Sequence, residues 1–408
     1  MDIIRPRLTD YHGIHKNQAD LDFAIQFFDE DIPLYVDPFL LWKSPSQQDN
    51  ALYTTITNSF NHLNYLIKKK QEDEALSILI DISECHEVGL GVSKTRKGTK
   101  ISKKQAQDIL SLFKDIPEYS QFGFTHFEII QLYISGISKD RISDITCNYL
   151  KSFLIDYTIE QCEINKIPTE GVILNSIYNY KTNKLDTNQK VYLPVNPLTK
   201  EPLIFTPKRW LRFNTWINYE DYFQKYCPRD EIFNPDEPEE RVKVLNFNRE
   251  NYGTIEGYIE YKTKTSEDCK NDPLFSQIPI LSAKRKLSQI LKLNTGKDHG
   301  ADMQYEELSA SLLASLFYPH LDFAQTQSRT ESGRHIRDLI FYNNRDIDFL
   351  DEIFTEYNNR QLVIEMKNVK EISRDHINQL NRYMQNNIGN FGVFLTRNPL
   401  SKAMYENT

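Results

Sequence analysis

Cysteine is scarce in this chain and is scattered without paired spacing. The five cysteines among 408 residues (Cys85, Cys147, Cys162, Cys227 and Cys269) never approach metal-ligand spacing. That argues against a zinc ribbon or a disulfide framework and sets the expectation of reduced thiols in a cytoplasmic protein. Long apolar runs are missing too. The opening residues, MDIIRPRLTDYHG, hold no leader-like apolar core, and no stretch reaches the roughly 20 apolar residues of a spanning helix, so no membrane partner is expected. Positive charge is not in excess: 49 Lys and Arg stand against 57 Asp and Glu, a net charge of −8. Any nucleic-acid surface must therefore be a local patch. There is no internal repeat, and no Walker GxxxxGK[ST] spacing.

What is present suits packed cores. Aromatics make up 12% of the residues, and the length allows two domains or more. Ile32 to Leu41 reads as a strand-like entry broken by Pro38. Ala51 to Asn165 carries apolar residues at helical spacing. Gly171 to Phe205 is punctuated by proline and rich in β-formers. Arg209 to Tyr226 returns to an aromatic helical pattern, with Trp210, Phe213, Trp216, Tyr219 and Tyr222 read as core. Pro228 to Glu240 is the best loop candidate, and Lys262 to Pro273 is polar. The helical text SAKRKLSQILKL leads to Asn294-Thr295-Gly296, read as a linker. The expected architecture is mixed α+β or α/β: a mostly helical region 1–165 with an early strand, a mixed β and helical region 166–293, and a C-terminal domain 294–408 of order helix, three strands, helix, strand.

The C-terminal domain carries the chemistry. In QLVIEMKN, a strand over Gln361 to Lys367 puts Leu362, Ile364 and Met366 on one face and Val363, Glu365 and Lys367 on the other. A carboxylate and an ammonium side by side on a sheet are costly unless paired. A metal ion shared by Glu365 and a second carboxylate, Asp338 of the preceding strand (RHIRDLIFYN), answers that cost. The surrounding elements agree. Leu308, Leu312, Leu313 and Leu316 make a helix before Pro319, Leu321 to Gln327 and Ile336 to Tyr342 alternate as strands, Ser373 caps a helix, and FGVFLT is a fourth strand.

This order and these residues resemble the PD-(D/E)xK nuclease superfamily, the restriction-endonuclease-like fold, over roughly residues 300–398. The resemblance implies Asp338, Glu365 and Lys367 as catalytic residues. It adds Glu306 on the first helix, with Glu307 as alternative, and Gln379 on the second, with Tyr383 one turn later. Two departures stand out. Arg337 occupies the usual proline position, and an acidic insertion (RDIDFLDEIFTEYNN), with room for a short helix, separates Asp338 from Glu365. Folds of this kind often continue past the fourth strand, where this chain soon stops.

The implied activity is Mg²⁺-dependent hydrolysis of phosphodiesters, with Mn²⁺ able to substitute, and an endonuclease acting on DNA is favoured. Asp338, Glu365 and the Met366 carbonyl would be the metal ligands, since magnesium takes oxygen donors. Lys367 would orient the attacking water, and Arg334, Arg337 and Arg382 could contact phosphate. His335 and His376 are not required by this chemistry and read as ordinary histidines. By fold analogy, the setting is bacterial defence or restriction, in a dimer or larger homo-oligomer. The alternative is an inactive nuclease fold that binds nucleic acid or serves assembly.

One N-terminal run adds a second expectation. Val88 to Lys104 (VGLGVSKTRKGTKISKK) has no acidic residue. Lys94, Arg96, Lys97 and Lys100 lie among glycines before a helix opening at Ser102, a composition suited to backbone phosphates.

Overall fold

Pro38 starts a helix here instead of only ending a strand. In the computed structural model, Tyr35–Val36 (β1) is followed by a helical turn over Pro38–Trp42, with Pro38 at its first position and Asp37 as N-cap. The Asp37 carboxylate accepts the Phe39 N–H at 3.1 Å. Proline suits that position because its missing N–H would have no helical partner there anyway. The structure describes residues 7–16, 18–93, 95–234, 240–265, 278–317, 320–329, 336–345, 347–384 and 389–401. For 19, 278–282, 315, 322–329, 336–338 and 383 it describes backbone only.

The described residues form two compact units, one within residues 7–275 and one within residues 276–408. The first takes in both regions that the sequence divides at 165. Its main helices are Gln47–Lys68 (α1), Glu72–Asp81 (α2), Lys103–Asp115 (α3), Lys139–Tyr149 (α4) and Lys151–Asn165 (α5). Strands Glu170–Leu174 (β2), Ile177–Asn179 (β3), Lys184–Asp186 (β4) and Gln189–Leu193 (β5) follow, with β2 paired to β5 and β3 to β4, both antiparallel. The aromatic stretch after Arg209 is helical over less of its length than its spacing predicts. Leu211–Arg212 (β6) pairs with β1, and only Tyr219–Lys225 (α6) is α-helical. The backbone N–H of Trp216 is taken by buried Asp37 at 2.7 Å, and Asn218 caps α6, so the helix starts after that tether. Trp210 and Tyr222 are core as expected. Helices Arg241–Glu250 (α7) and Tyr252–Lys264 (α8) complete the described part.

The second unit starts before the boundary set at 294. Ile278–Lys292 (α9) belongs to it, since Ile290 enters the same core as Ala301–Phe317 (α10). Asn294 to Gly296 is tied to the sheet: Asn368 donates to the carbonyls of Asn294 (2.9 Å) and Gly296 (3.0 Å) and accepts the Gly296 N–H (2.9 Å). Leu321–Arg329 (β7), Ile336–Asn343 (β8), Gln361–Lys367 (β9) and Gly392–Thr396 (β10) form one mixed sheet of order β10-β9-β8-β7. β8 is antiparallel to β7 and β9, and β10 is parallel to β9. The acidic insertion folds as a helix, Asp348–Tyr357 (α11). Arg374–Tyr383 (α12) joins β9 to β10, the crossover that parallel strands need.

Alternation along β8 and β9 divides this core. Leu339, Phe341, Leu362, Ile364 and Met366 pack with Tyr305, Ala310 and Ala314 of α10 on one face. Ile340 and Val363 pack with Leu380 of α12 on the other. Among the described residues, no helix is long and apolar enough to cross a membrane.

Candidate active site

β9 is buried along almost its whole length, so its odd-numbered charged pair is carried into the molecule by the strand itself. Glu365 has 0% exposure, and Lys367, at the strand's end, keeps 18%. The Lys367 Nζ lies 2.7 Å from Glu365 Oε1. As expected from the period of two, both stand on the face of Val363, the face α12 covers. The β8–β9 register pairs Leu339 with Ile364 and Ile340 with Val363. Continued by one rung, it sets position 338 opposite Glu365. The backbone of Asp338 belongs to β8, while its side chain lies outside the described residues.

The remaining candidates are distributed unevenly. Gln379 is half-buried on α12, next to Leu380, and so belongs to the helix over the Glu365 face. Glu306 is half-buried on α10 beside core residue Tyr305; that helix covers the opposite face. Glu307 is exposed. Met366 points into the α10 core, which leaves its main chain as the only part suited to a ligand role. Arg382 is exposed on α12. Arg334 and His335, and the side chains of Arg337 and Tyr383, lie outside the described residues. Among the described residues, no group of three or more His, Cys, Asp or Glu could hold a metal ion, a set that does not contain the Asp338 carboxylate.

His376 is the residue the sequence reading passed over. It occupies the third position of α12 and closes a capping box with Ser373, whose backbone N–H donates to His376 Nδ1 at 3.1 Å. Glutamate or glutamine is the usual residue there, so a histidine gives no cap signal in the sequence. Burial and then the nearby Lys367 ammonium hold its pKa below the usual histidine value.

The basic run of the first unit is only partly a surface. Ser102 caps α3 through a capping box with Gln105, as its position predicts. Lys97 and Lys100 are exposed, and Lys100 pairs with Asp81 at 2.5 Å. Lys94 lies outside the described residues. Arg96 corrects the expectation of a phosphate contact: it is 5% exposed and donates to the carbonyls of Phe27 (2.8 Å), His86 (3.3 Å) and Glu87 (3.4 Å). Gly89, at φ +59°, has room only for hydrogen where that guanidinium packs. The loop glycines serve close packing as well as turning.

Two further carboxylates in this unit are paired internally. Lys151 pairs with Glu87 at 2.9 Å. Asp221 accepts from Lys225 (2.7 Å), Lys262 (2.8 Å) and Tyr258 (3.0 Å) beside a cavity of about 450 Å³ walled by Trp216.

Among known proteins, residues 13–218 match the model of a family described as a domain of unknown function (DUF8370), a span of about half the chain that ends before the sheet carrying Glu365. No curated protein and no solved structure matches. The chain therefore belongs to the DUF8370 family, the domain of unknown function whose model its residues 13–218 match.

Proposed function

We propose that the C-terminal unit is a divalent-metal-dependent nuclease, with DNA as the favoured substrate and Asp338, Glu365 and Lys367 as its catalytic residues. The observation that carries this reading is Glu365, a carboxylate with no solvent exposure, with the Lys367 ammonium 2.7 Å away on the more open end of the strand. Burying one ion pair in a sheet rarely stabilises a fold by itself, because desolvation offsets the Coulomb gain. Retaining such a pair across from an aspartate position makes sense where the charges act on something. The resemblance to PD-(D/E)xK nucleases and the order helix, three strands, helix, strand, with α11 inserted between the second and third strands, support the same reading.

The donor chemistry fits magnesium. Glu365, Asp338 and the Met366 carbonyl are all oxygen donors, the kind a small hard cation takes while keeping some of its waters. When bound, the ion supplies charge neutralisation at the phosphate and acidifies water. Lys367, which solvent reaches, orients the attacking water through Nζ. Gln379, on the helix over the Glu365 face, steadies substrate or water there, while Glu306, on the helix across the sheet, would have to act around the end of the strands. Restriction or antiviral defence, and a homo-oligomeric assembly, extend the proposal by analogy.

The test is a cleavage series on plasmid, linear duplex, single-stranded DNA and RNA, each with Mg²⁺, Mn²⁺ or EDTA. Metal-dependent cleavage of any of them supports the reading. Binding without cleavage under every metal condition favours the inactive nucleic-acid-binding alternative.

A further inference from the structure

The turn structure of α12 places a second hydrogen-bond donor beside Lys367. Leu380 packs on Val363 and Ile340. α12 links two parallel strands, so it runs back against β9. One helical turn toward its N-terminus covers about 5.4 Å, and two residues toward the end of β9 cover about 6.6 Å. His376, four residues before Leu380 on the same side of the helix, therefore lies over the Glu365–Lys367 end of the strand. The response of its pKa to the Lys367 charge agrees.

The cap also fixes what the ring can do. Its Nδ1 accepts the Ser373 N–H, so the neutral ring carries its proton on Nε2. Protonating Nδ1 would break the cap. The imidazole thus offers one N–H and no lone pair, next to an ammonium that also only donates. Two donors side by side suit an anion.

Resting on the nuclease reading, we infer that His376 is a substrate-binding residue that donates its Nε2–H to a non-bridging oxygen of the substrate phosphate held at Lys367. It holds the strand and takes no proton from the attacking water.

Alanine at Ser373 separates the two roles, because it removes the hydroxyl half of the capping box and leaves the imidazole and its Nε2 donor in place. The full-length protein, Ser373→Ala and His376→Ala are compared for thermal midpoint, for affinity toward a short labelled DNA duplex in EDTA, and for cleavage with Mg²⁺. Both variants should melt at a lower midpoint, but only His376→Ala should bind the duplex about ten-fold more weakly and cleave it correspondingly more slowly, the usual scale for one hydrogen bond to a charged oxygen. His376→Gln, whose amide keeps both the cap and a donor, should recover part of that loss. Wild-type binding by His376→Ala, or an equal binding loss in Ser373→Ala, would reduce His376 to a cap and overturn the inference, leaving the nuclease reading intact. If the wild type binds without cutting and only His376→Ala weakens binding, the contact stands and the nuclease reading falls. A wild type that neither binds nor cuts overturns both.

Discussion

Lys367 and Glu365 meet at 2.7 Å on one face of a buried strand, the carboxylate sealed from solvent and the ammonium at its open edge. Deleting either partner is therefore not symmetrical. Lys367→Ala leaves a buried carboxylate without its nearest cation and should cost about 3 kcal/mol or more. Lys367→Ala with Glu365→Gln should recover part of that loss. Urea unfolding of the single and double variants measures it, and equal losses in both would mean the pair does not couple.

Arg96 and Gly89 form a packing unit that a double-mutant cycle can expose. Arg96→Ala removes a donor from the carbonyls of Phe27, His86 and Glu87, of which the last two keep the N–H groups of Gly89 and Ile204, and should destabilise by about 1–3 kcal/mol. Gly89→Ala puts a Cβ onto the Arg96 guanidinium at a positive φ and should cost about 1–3 kcal/mol. With Arg96 already removed the clash is gone, so the combined cost should fall short of the sum. Strict additivity would contradict this packing.

The exposed part of the same run gives a different expectation. Lys97→Ala with Lys100→Ala should leave the fold intact, since a half-exposed pair such as Lys100–Asp81 contributes little. If both lysines touch phosphate, the log–log salt slope of duplex binding should fall by about 0.9 for each. An unchanged slope assigns these lysines to plain surface.

Asp37 gives a pH signature. Burial pushes its carboxyl up to about 7, against the N–H groups of Trp216 and Phe39 that favour the charged form. An unfolded aspartate titrates near 3.9, so between about pH 4 and 7 the folded chain keeps a proton that the unfolded chain has released. The stability this group contributes is greatest at acid pH and is lost as pH rises through that window. Asp31, also raised to about 7 by burial, acts in the same direction. In Asp37→Asn the decline of unfolding free energy from pH 5 to 8 should be shallower than in the wild type, by on the order of a few kcal/mol at most. Parallel curves would show that Asp37 titrates normally.

Much of the C-terminal unit was legible because strand alternation is local. Val363, Glu365 and Lys367 fall on one face, and Leu362, Ile364 and Met366 on the other, as a period of two requires. The helix cap at Ser102 was equally local. What escaped depends on tertiary partners. Arg96 sits in a basic run and reads as solvated until the carbonyls of His86, Glu87 and the remote Phe27, with Gly89, enclose it. The tether between Trp216 and Asp37 shortens a helix whose spacing predicts more. Asn368 ties an apparent linker to the end of an inner strand of the sheet. His376 carries no motif, and its place over Lys367 follows only from the packing of Leu380.

Metal binding and cleavage, measured together on the same variants, test the nuclease centre most directly. Calorimetric titration with Mn²⁺ and a Mg²⁺ cleavage assay are run on wild type, Asp338→Ala, Glu365→Ala and Lys367→Ala. The account predicts that both carboxylate variants lose metal binding and cleavage together, whereas Lys367→Ala still binds metal and no longer cuts. Cleavage by Glu365→Ala at the wild-type rate would contradict it.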